Sequence, residues 1–318
     1  MKCSPFIAFA LIATLGVAGS GAAFGQAPVP DGPPTMIAVL SSFPEELAAI
    51  EKIMVPDETK LRVTRFNGVE FKAAEIGGRN YLFLLTGMSL VNAAMNTQLA
   101  LDHFPIAAVF FTGIAGGVDP QYSPGDVVVP ARWHYHSEAA YFNETAPGQF
   151  DLAGFFKQKY QNFGMIFPDE VTVKREGMAD WAQEPFFPAD DALLAAAKKA
   201  TDTMPPLKSG DRVCKVTFGG DGVSGTVFCD NAEYRKWVFN VWKAECLDME
   251  STAIAQVCWE NKKPCLIVRG LSDLAGGQSG KNQIEEYLKA ASEHSAAVLV
   301  KILENVELPA PAAAPPNS

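Results

Sequence analysis

Two stretches decide the fold of this chain: Glu245-Cys-Leu-Asp-Met-Glu-Ser-Thr-Ala-Ile-Ala-Gln-Val-Cys258 and Leu266-Ile-Val-Arg-Gly-Leu-Ser-Asp-Leu-Ala-Gly-Gly277. The second begins with the apolar run Leu266–Val268, which is typical of a buried strand, and the first contains another short predicted strand. Glu250 lies where the first strand gives way to a helix, and Asp273 follows the second strand in a glycine-rich turn. Open α/β sheets bind ligands at the carboxyl ends of their strands, so both acids are candidate functional residues. Taken singly, Glu250 could be a first-turn helix acid and Asp273 a cap residue.

The N-terminus predicts a secretory signal peptide over residues 1–25. Lys2 precedes an apolar run, and Ala23-Phe-Gly25 supplies small residues for cleavage. The run is short for a membrane-spanning helix, so we expect a periplasmic or secreted protein with no membrane segment after cleavage. An uncleaved N-terminal anchor is the alternative.

Both ends of the mature chain are rich in proline, which is typical of flexible segments. We expect residues 26–35 to be a linker, residues 308–318 to be a disordered tail, and residues 36–307 to form one large α/β domain. The formal net charge is −10, and removal of Lys2 with the signal peptide makes it about −11. An acidic chain of this kind is a poor candidate for non-specific nucleic-acid binding.

Five of the six cysteines remain after cleavage. An odd number in an oxidising compartment leaves at least one thiol free or paired between chains, and the count does not assign pairs. Because no CxxC spacing occurs, a zinc cluster is not expected. His134 and His136 could offer two imidazoles from one strand face, but with no third ligand nearby they are better interpreted as packed or solvated histidines.

In the rest of the chain, strands, glycine turns and helices alternate. This order predicts a single-domain α/β fold with a mostly parallel, twisted central sheet flanked by helices. The predicted strands are Met36–Leu40, Val63–Ile76, Tyr81–Leu85, Ala107–Phe111, Asp126–Val129 and Arg212–Phe218. The predicted helices end near Ile53, span Val91–Asp102, Asp190–Ala200 and Gln283–Glu304, and begin at Asn231.

Three segments do not follow this alternation of strands and helices. Thr112–Gly117 and Gly219–Gly225 are interpreted as glycine-rich turns, and the first lacks the GxGxxG pattern of a dinucleotide site. Residues 133–187 show mixed, aromatic-rich signals and are interpreted as an insertion, a candidate lid or oligomer contact.

A resemblance rests on six motifs that arrive in order along nearly the whole mature chain. They are Ile37-Ala-Val-Leu-Ser-Ser-Phe-Pro-Glu-Glu46, Thr86-Gly-Met-Ser-Leu-Val-Asn-Ala-Ala94, Phe111-Thr-Gly-Ile-Ala-Gly-Gly117, Gly125-Asp-Val-Val-Val129, Asp248-Met-Glu-Ser-Thr-Ala-Ile-Ala255 and Val268-Arg-Gly-Leu-Ser-Asp-Leu-Ala275. The set resembles the nucleoside phosphorylase superfamily, and within it the methylthioadenosine/S-adenosylhomocysteine nucleosidases. Residues 222–235 also resemble the secreted, nucleosidase-like storage proteins of plants.

The resemblance implies cleavage of an N-glycosidic bond without cofactor or metal, on a small-molecule nucleoside, by a homo-oligomer. It implies that Asp273 is the general acid, that Glu46 is the base that activates water, and that Glu250 accepts hydrogen bonds from the ribose. The remaining implied substrate-binding residues are Phe43, Gly113, Ala115, Gly116, Val223, Ser224, Phe228, Met249 and Arg269, of which Arg269 would orient an acid.

The sequence leaves open which nucleophile attacks the sugar and which nucleobase is released. Phosphate usually needs arginine forks, and residues 41–46, 86–92 and 111–117 contain no lysine or arginine, which favours water. A phosphorylase could borrow an arginine from a neighbouring subunit, and a non-catalytic binding or storage protein is the third hypothesis. Ile114, Val223 and Ser224 depart from the nucleosidase pattern, so adenine specificity does not follow from the resemblance.

Overall fold

The computed structural model describes residues 35–307. The predicted signal peptide, the tail and all but the last residue of the predicted linker therefore lie outside the described residues. The helices are α1 (Pro44–Met54), α2 (Leu90–His103), α3 (Asp191–Thr201), α4 (Ala232–Trp242), α5 (Ser251–Glu260) and α6 (Ile284–Asn305). Among residues 35–307, no helix combines the length and the apolarity that crossing a bilayer requires.

The strands form one 12-stranded sheet and four small two-stranded sheets. They are β1 (Met36–Ser41), β2 (Arg62–Phe66), β3 (Val69–Ile76), β4 (Arg79–Leu85), β5 (Ile106–Gly117), β6 (Val127–Val129), β7 (Arg132–Tyr135), β8 (Ala139–Tyr141), β9 (Glu144–Ala146), β10 (Gln149–Phe150), β11 (Ile166–Pro168), β12 (Val171–Val173), β13 (Ala182–Glu184), β14 (Phe187–Pro188), β15 (Lys208–Ser209), β16 (Arg212–Val213), β17 (Val216–Phe218), β18 (Asp221–Ser224), β19 (Cys246–Asp248) and β20 (Cys265–Asp273).

The centre of the large sheet is parallel: β4, β1, β5 and β20 lie side by side and run in the same direction. Side chains of β1 alternate between two apolar layers, with Ile37 and Val39 facing one and Ala38 and Leu40 the other. Helices α1, α3 and α6 pack on the first face, and α2 and α5 pack on the second. Burial on both faces explains the unbroken apolar runs of these strands and confirms the predicted α/β class.

Two segments predicted to be glycine turns are strands instead. Residues 112–117 continue β5, paired with β20 on one side and with β19 on the other. Residues 221–224 form the buried strand β18, between β7 and β19. Glycine is needed there because of crowding: a Cβ at Gly222 would lie 2.5 Å from the Trp133 ring.

Two predicted boundaries also differ. The segment Val63–Ile76 is not one strand, because Asn67 and Gly68 adopt positive φ and turn β2 into β3 as a tight hairpin. Within the predicted insertion, Trp133–Tyr135 belong to the central sheet as part of β7, which pairs with β18 and β14. Beyond β7 the chain forms small hairpins before β14 returns to the sheet.

The five cysteines among the described residues, Cys214, Cys229, Cys246, Cys258 and Cys265, are buried free thiols.

Candidate active site

The predicted acids meet at the carboxyl ends of the parallel strands. The pairing register of β20 with β5 contributes to this, because it places Arg269 and Asp273 on β20 opposite Gly113 and Gly116 on β5. Strand β1 leads into α1 with Glu46 in its first turn, and β19 leads into α5 at Glu250. The strand ends therefore carry the predicted chemistry to one edge of the sheet.

Glu46 is almost fully buried and is held by hydrogen bonds at both oxygens. Its Oε2 accepts from the Ser42 amide (2.8 Å) and hydroxyl (2.6 Å), so the side chain reaches back over the start of α1. Its Oε1 accepts from the Ile114 amide at 2.7 Å. Burial raises the pKa of Glu46, and the positive charge of Arg269 opposes that rise. A carboxylate with a raised pKa is a better proton acceptor than an ordinary one.

Glu250 is the residue before the first turn of α5. Its Oε1 accepts from the Ser89 amide at 2.7 Å, and its Oε2 lies 3.4 Å from Nη2 of Arg269. Burial first, and then the negative charge of Asp248, raise the pKa of Glu250 to about 7.

Asp273 ends β20 and is 3 % exposed. Its Oδ1 accepts from the Ala275 amide at 2.7 Å and its Oδ2 accepts from the Ser272 hydroxyl at 2.8 Å. Burial raises the pKa of Asp273 although these hydrogen bonds favour the charged form. The desolvated carboxyl is therefore easier to keep protonated than a surface aspartate.

These three acids line one cavity of ≈ 130 Å³. Of the other predicted site residues, Phe43, Ala115, Gly116, Phe228 and Met249 also line it. The remaining lining residues are Ser42, Met88, Ile114, Val227, Cys229, Leu247, Asp248, Ser272 and Ile284. The walls are thus mostly apolar, with a few carboxyl and hydroxyl groups, which is the usual make-up of a small-molecule site.

Four residues predicted to bind substrate do not line the cavity. Val223 is fully buried in an apolar cluster with α4, and the Ser224 hydroxyl donates to Asp248 at 2.5 Å. Both lie on β18, so the cavity wall is built by the residues that follow the strand. Gly113 has no side chain to offer; a Cβ there would lie 2.1 Å from Glu46 Oε1. Arg269 is 0 % exposed and lies behind the acids.

Sequence reasoning missed Asp248, Val227 and Cys229, which flank or precede predicted site residues. Asp248 stands two residues before Glu250, and the Asp-Met-Glu pattern was a signal that two acids could share the site. Val227 and Cys229 were missed because the resemblance placed the contacts with the base at Val223 and Ser224, which lie on the buried strand β18.

The two histidines that the sequence analysis considered as metal ligands have structural partners. His134 Nε2 lies 2.7 Å from Asp221, and its Nδ1 lies 2.9 Å from the Pro185 carbonyl oxygen. His136 is fully buried with Nδ1 2.8 Å from the Tyr234 hydroxyl. Over residues 35–307 no group of three or more His, Cys, Asp or Glu side chains is arranged to hold a metal ion.

Comparison with known proteins agrees with this arrangement. Residues 36–304 match the family model described as the phosphorylase superfamily. The chain is 31% identical over 271 residues to a 5'-methylthioadenosine/S-adenosylhomocysteine nucleosidase of Geobacillus kaustophilus, covering 84% of this chain and 95% of the relative. It is 29% identical over 274 residues to the nucleosidase of the same name from Psychromonas ingrahamii, covering 85% of this chain and 99% of the relative.

Solved structures show the same fold. A nucleosidase of that name from Colwellia psychrerythraea in complex with adenine is 25% identical with a TM-score of 0.63, covering 85% of this chain and 95% of that one. Futalosine hydrolase of Helicobacter pylori is 19% identical with a TM-score of 0.65, covering 85% of this chain and 98% of that one. The family match spans most of the chain and every motif of the site, and this chain belongs to the phosphorylase superfamily.

Proposed function

We propose that this chain is a secreted, cofactor-independent nucleosidase that hydrolyses the N-glycosidic bond of a purine nucleoside such as methylthioadenosine or S-adenosylhomocysteine. The observation that carries the proposal is that one cavity contains both a desolvated Asp273 and a desolvated Glu46. The first can hold a proton for a leaving base, and the second can remove one from water. The names of the 29–31% identical relatives support the substrate class.

In the proposed reaction the bond between the sugar and the base breaks through an oxocarbenium-like transition state. Asp273 donates its proton to a ring nitrogen of the purine, so that the base leaves as a neutral molecule. Water attacks the anomeric carbon and gives up a proton to Glu46. Glu250 accepts hydrogen bonds from the ribose hydroxyls, while Met249, Phe43 and the other lining residues enclose the nucleoside.

The charges of the cavity favour water over phosphate as the nucleophile. Glu46, Asp248, Glu250 and Asp273 all line it, and none of the described lining residues is a lysine or an arginine. The nearest guanidinium, that of Arg269, is buried and already faces three of those carboxyls. A phosphate dianion would therefore enter a region of negative charge without a cation to pair with.

Product analysis tests this proposal directly. The mature protein is incubated with a panel of purine nucleosides, including methylthioadenosine, with and without phosphate, and base and sugar products are separated by chromatography. Free sugar released equally in both conditions supports the nucleosidase. Sugar 1-phosphate formed only with phosphate would make the protein a phosphorylase, and no base release from any nucleoside would favour a non-catalytic binding or storage protein.

Two further features remain proposals of their own. Export to the periplasm or medium rests on residues 1–25, and N-terminal sequencing of protein recovered from cell fractions tests it. A homo-oligomer rests on the resemblance and on three exposed apolar side chains: Met88, which lines the cavity just before α2, and Val91 and Met95 on α2. Light scattering on the purified protein distinguishes a monomer from a dimer or a larger assembly.

A further inference from the structure

The buried guanidinium of Arg269 faces three carboxylates at this site, and its distances to them differ. Nε of Arg269 donates to Asp248 at 2.7 Å, whereas Nη2 lies 3.4 Å from Glu250 and Nη1 lies 3.8 Å from Glu46. The Phe111 ring lies against the guanidinium, 3.9 Å from its central carbon. The shortest contact is thus made with the acid that has no role in the proposed reaction.

Asp248 is also the best-satisfied acid of the cluster. Its Oδ1 accepts from the Ser224 hydroxyl at 2.5 Å and from the amides of Ser251 (3.1 Å) and Glu250 (3.2 Å). Its Oδ2 accepts from the Ser251 hydroxyl and from Nε of Arg269. Five donors therefore converge on this one buried carboxyl.

These contacts hold both Arg269 and the turn that carries Glu250 in position. Because Nε is held by Asp248, the plane of the guanidinium is set and its two Nη atoms are directed towards Glu46 and Glu250. The amides that donate to Asp248 belong to the start of α5, whose next amide, that of Thr252, donates to the Ser224 hydroxyl at 2.9 Å. Asp248 therefore orients both Arg269 and the turn that carries Glu250.

We propose that Asp248 is a positioning residue for nucleoside cleavage, which holds Arg269 through Nε and divides its positive charge between Glu46 and Glu250. The proposal rests on the proposed function, because it assigns Asp248 a part in that same reaction. Asp248 itself touches neither the leaving base nor the attacking water in this scheme.

After burial, the charge of Asp248 contributes to the raised pKa of Glu250. Four groups face Glu250: Asp248 from β19, Arg269 from β20, Glu46 from α1 and the Ser89 amide from the start of α2. Asp248 and Glu46 raise the pKa of Glu250, and Arg269 and the amide lower it. Removing the negative charge of Asp248 leaves more of the arginine's attraction for Glu250, so the pKa of Glu250 falls.

The test compares Asp248→Asn with the matched control Asp221→Asn. Asp221 is a buried aspartate that pairs with Arg132 and His134 and does not line the cavity. For each protein, kcat and KM for base release are measured from about pH 4 to pH 9, with thermal unfolding as a check on folding. For Asp248→Asn we expect kcat to fall roughly tenfold or more and the acidic limb of kcat/KM to move to lower pH. Asp221→Asn keeps the wild-type limb.

A third variant, Asp248→Glu, retains the charge and should keep the acidic limb of the wild type even if its rate is lower. The proposal is overturned if the wild type is active and folded Asp248→Asn has the same acidic limb of kcat/KM as the wild type. If Asp248→Asn does not fold, Ser224→Ala removes a neutral donor to Asp248 instead, and unchanged kcat in that variant overturns it. A wild type that releases no base contradicts the proposed function, which is a different and separately visible result.

Discussion

The substitution Gly113→Ala should strongly lower the rate of catalysis, because the added methyl group displaces Glu46 rather than contacting the substrate. The added Cβ would lie 2.1 Å from Oε1 of Glu46 and 2.4 Å from Nη1 of Arg269, both of them buried. Ordinary contact begins at 3.4 Å, so the Glu46 carboxylate must retreat by about 1.3 Å, the difference between 3.4 and 2.1. A misplacement of about 1 Å in a reacting group can cost on the order of 100-fold in rate.

The assay is steady-state release of adenine from methylthioadenosine, with kcat and KM determined separately. We expect kcat to fall about 100-fold, with a smaller change in KM, because the displaced acid acts on water rather than on substrate binding. Overpacking should also lower the free energy of unfolding by about 1–3 kcal/mol. The matched control is Gly154→Ala, since a Cβ at Gly154 meets no atom within 4 Å and the backbone there has no positive φ.

A Gly113→Ala enzyme with wild-type kcat would refute this reasoning, because Glu46 would then not need its observed position. Equal losses of rate in Gly154→Ala would show that the effect does not depend on the clash. Thermal unfolding of both variants separates a displaced carboxylate from general loss of fold.

The remaining predictions concern buried titratable groups. Glu250→Gln should lower kcat/KM for ribonucleosides about 10- to 100-fold, since hydrogen bonds to a charged acceptor contribute about 1.5–3 kcal/mol, and should weaken discrimination against 2'-deoxynucleosides; an unchanged sugar preference would remove Glu250 from the site. Because burial raises the pKa of Glu250 from 4.5 to about 7, the native state holds this proton more tightly than the unfolded chain, and its stabilising effect is lost as pH rises through that interval. The unfolding free energy of Glu250→Gln relative to the wild type should therefore increase from pH 4.5 to pH 7, as chemical denaturation would measure; a constant difference would contradict it. Burial lowers the pKa of His136 from 6.5 to about 4, so the unfolded chain binds the proton first and the wild type should lose stability as pH falls through that range. His136→Gln should avoid up to about 3 kcal/mol of this acid destabilisation, and identical pH profiles of the two proteins would count against it.

The fold and the main acids could be predicted because each is a local property of the sequence. Apolar runs that are buried on both faces identify β1 and β20. Asp273 is the last residue of β20, Glu46 lies in the first turn of the helix that follows β1, and Glu250 lies two residues after the short strand β19. Since parallel strands place their carboxyl ends at one edge, acids that are far apart along the chain converge.

The glycine-rich strands could not be recognised from composition. Glycine is normally rare in strands, so residues 112–117 and 221–224 were expected to be turns. In the structure their glycines leave room for Glu46, Arg269 and the Trp133 ring, which come from distant parts of the chain. This tertiary crowding is invisible locally, so the sequence could not show that Val223 and Ser224, which the resemblance assigned to the site, lie on a buried strand.

The resemblance implied that Arg269 orients an acid, but the residues alone could not show which acids it contacts. An arginine after an apolar run can face solvent, a ligand or a buried acid. Only the packed structure shows that it is 0 % exposed and paired with Asp248, Glu250 and Glu46. A buried cation of this kind is tolerated because several carboxylates surround it, and removing any one of them changes the charge felt by the others.

The most direct test of the central claim is adenine release from methylthioadenosine in phosphate-free buffer by the wild type and by Asp273→Asn. An amide cannot supply a transferable proton, and a general acid contributes about 10²- to 10⁴-fold to rate. The account predicts phosphate-independent release of adenine and free sugar by the wild type, and a loss of at least about 100-fold in kcat for a folded Asp273→Asn. Equal activity of the two proteins, or activity only after phosphate is added, would contradict it.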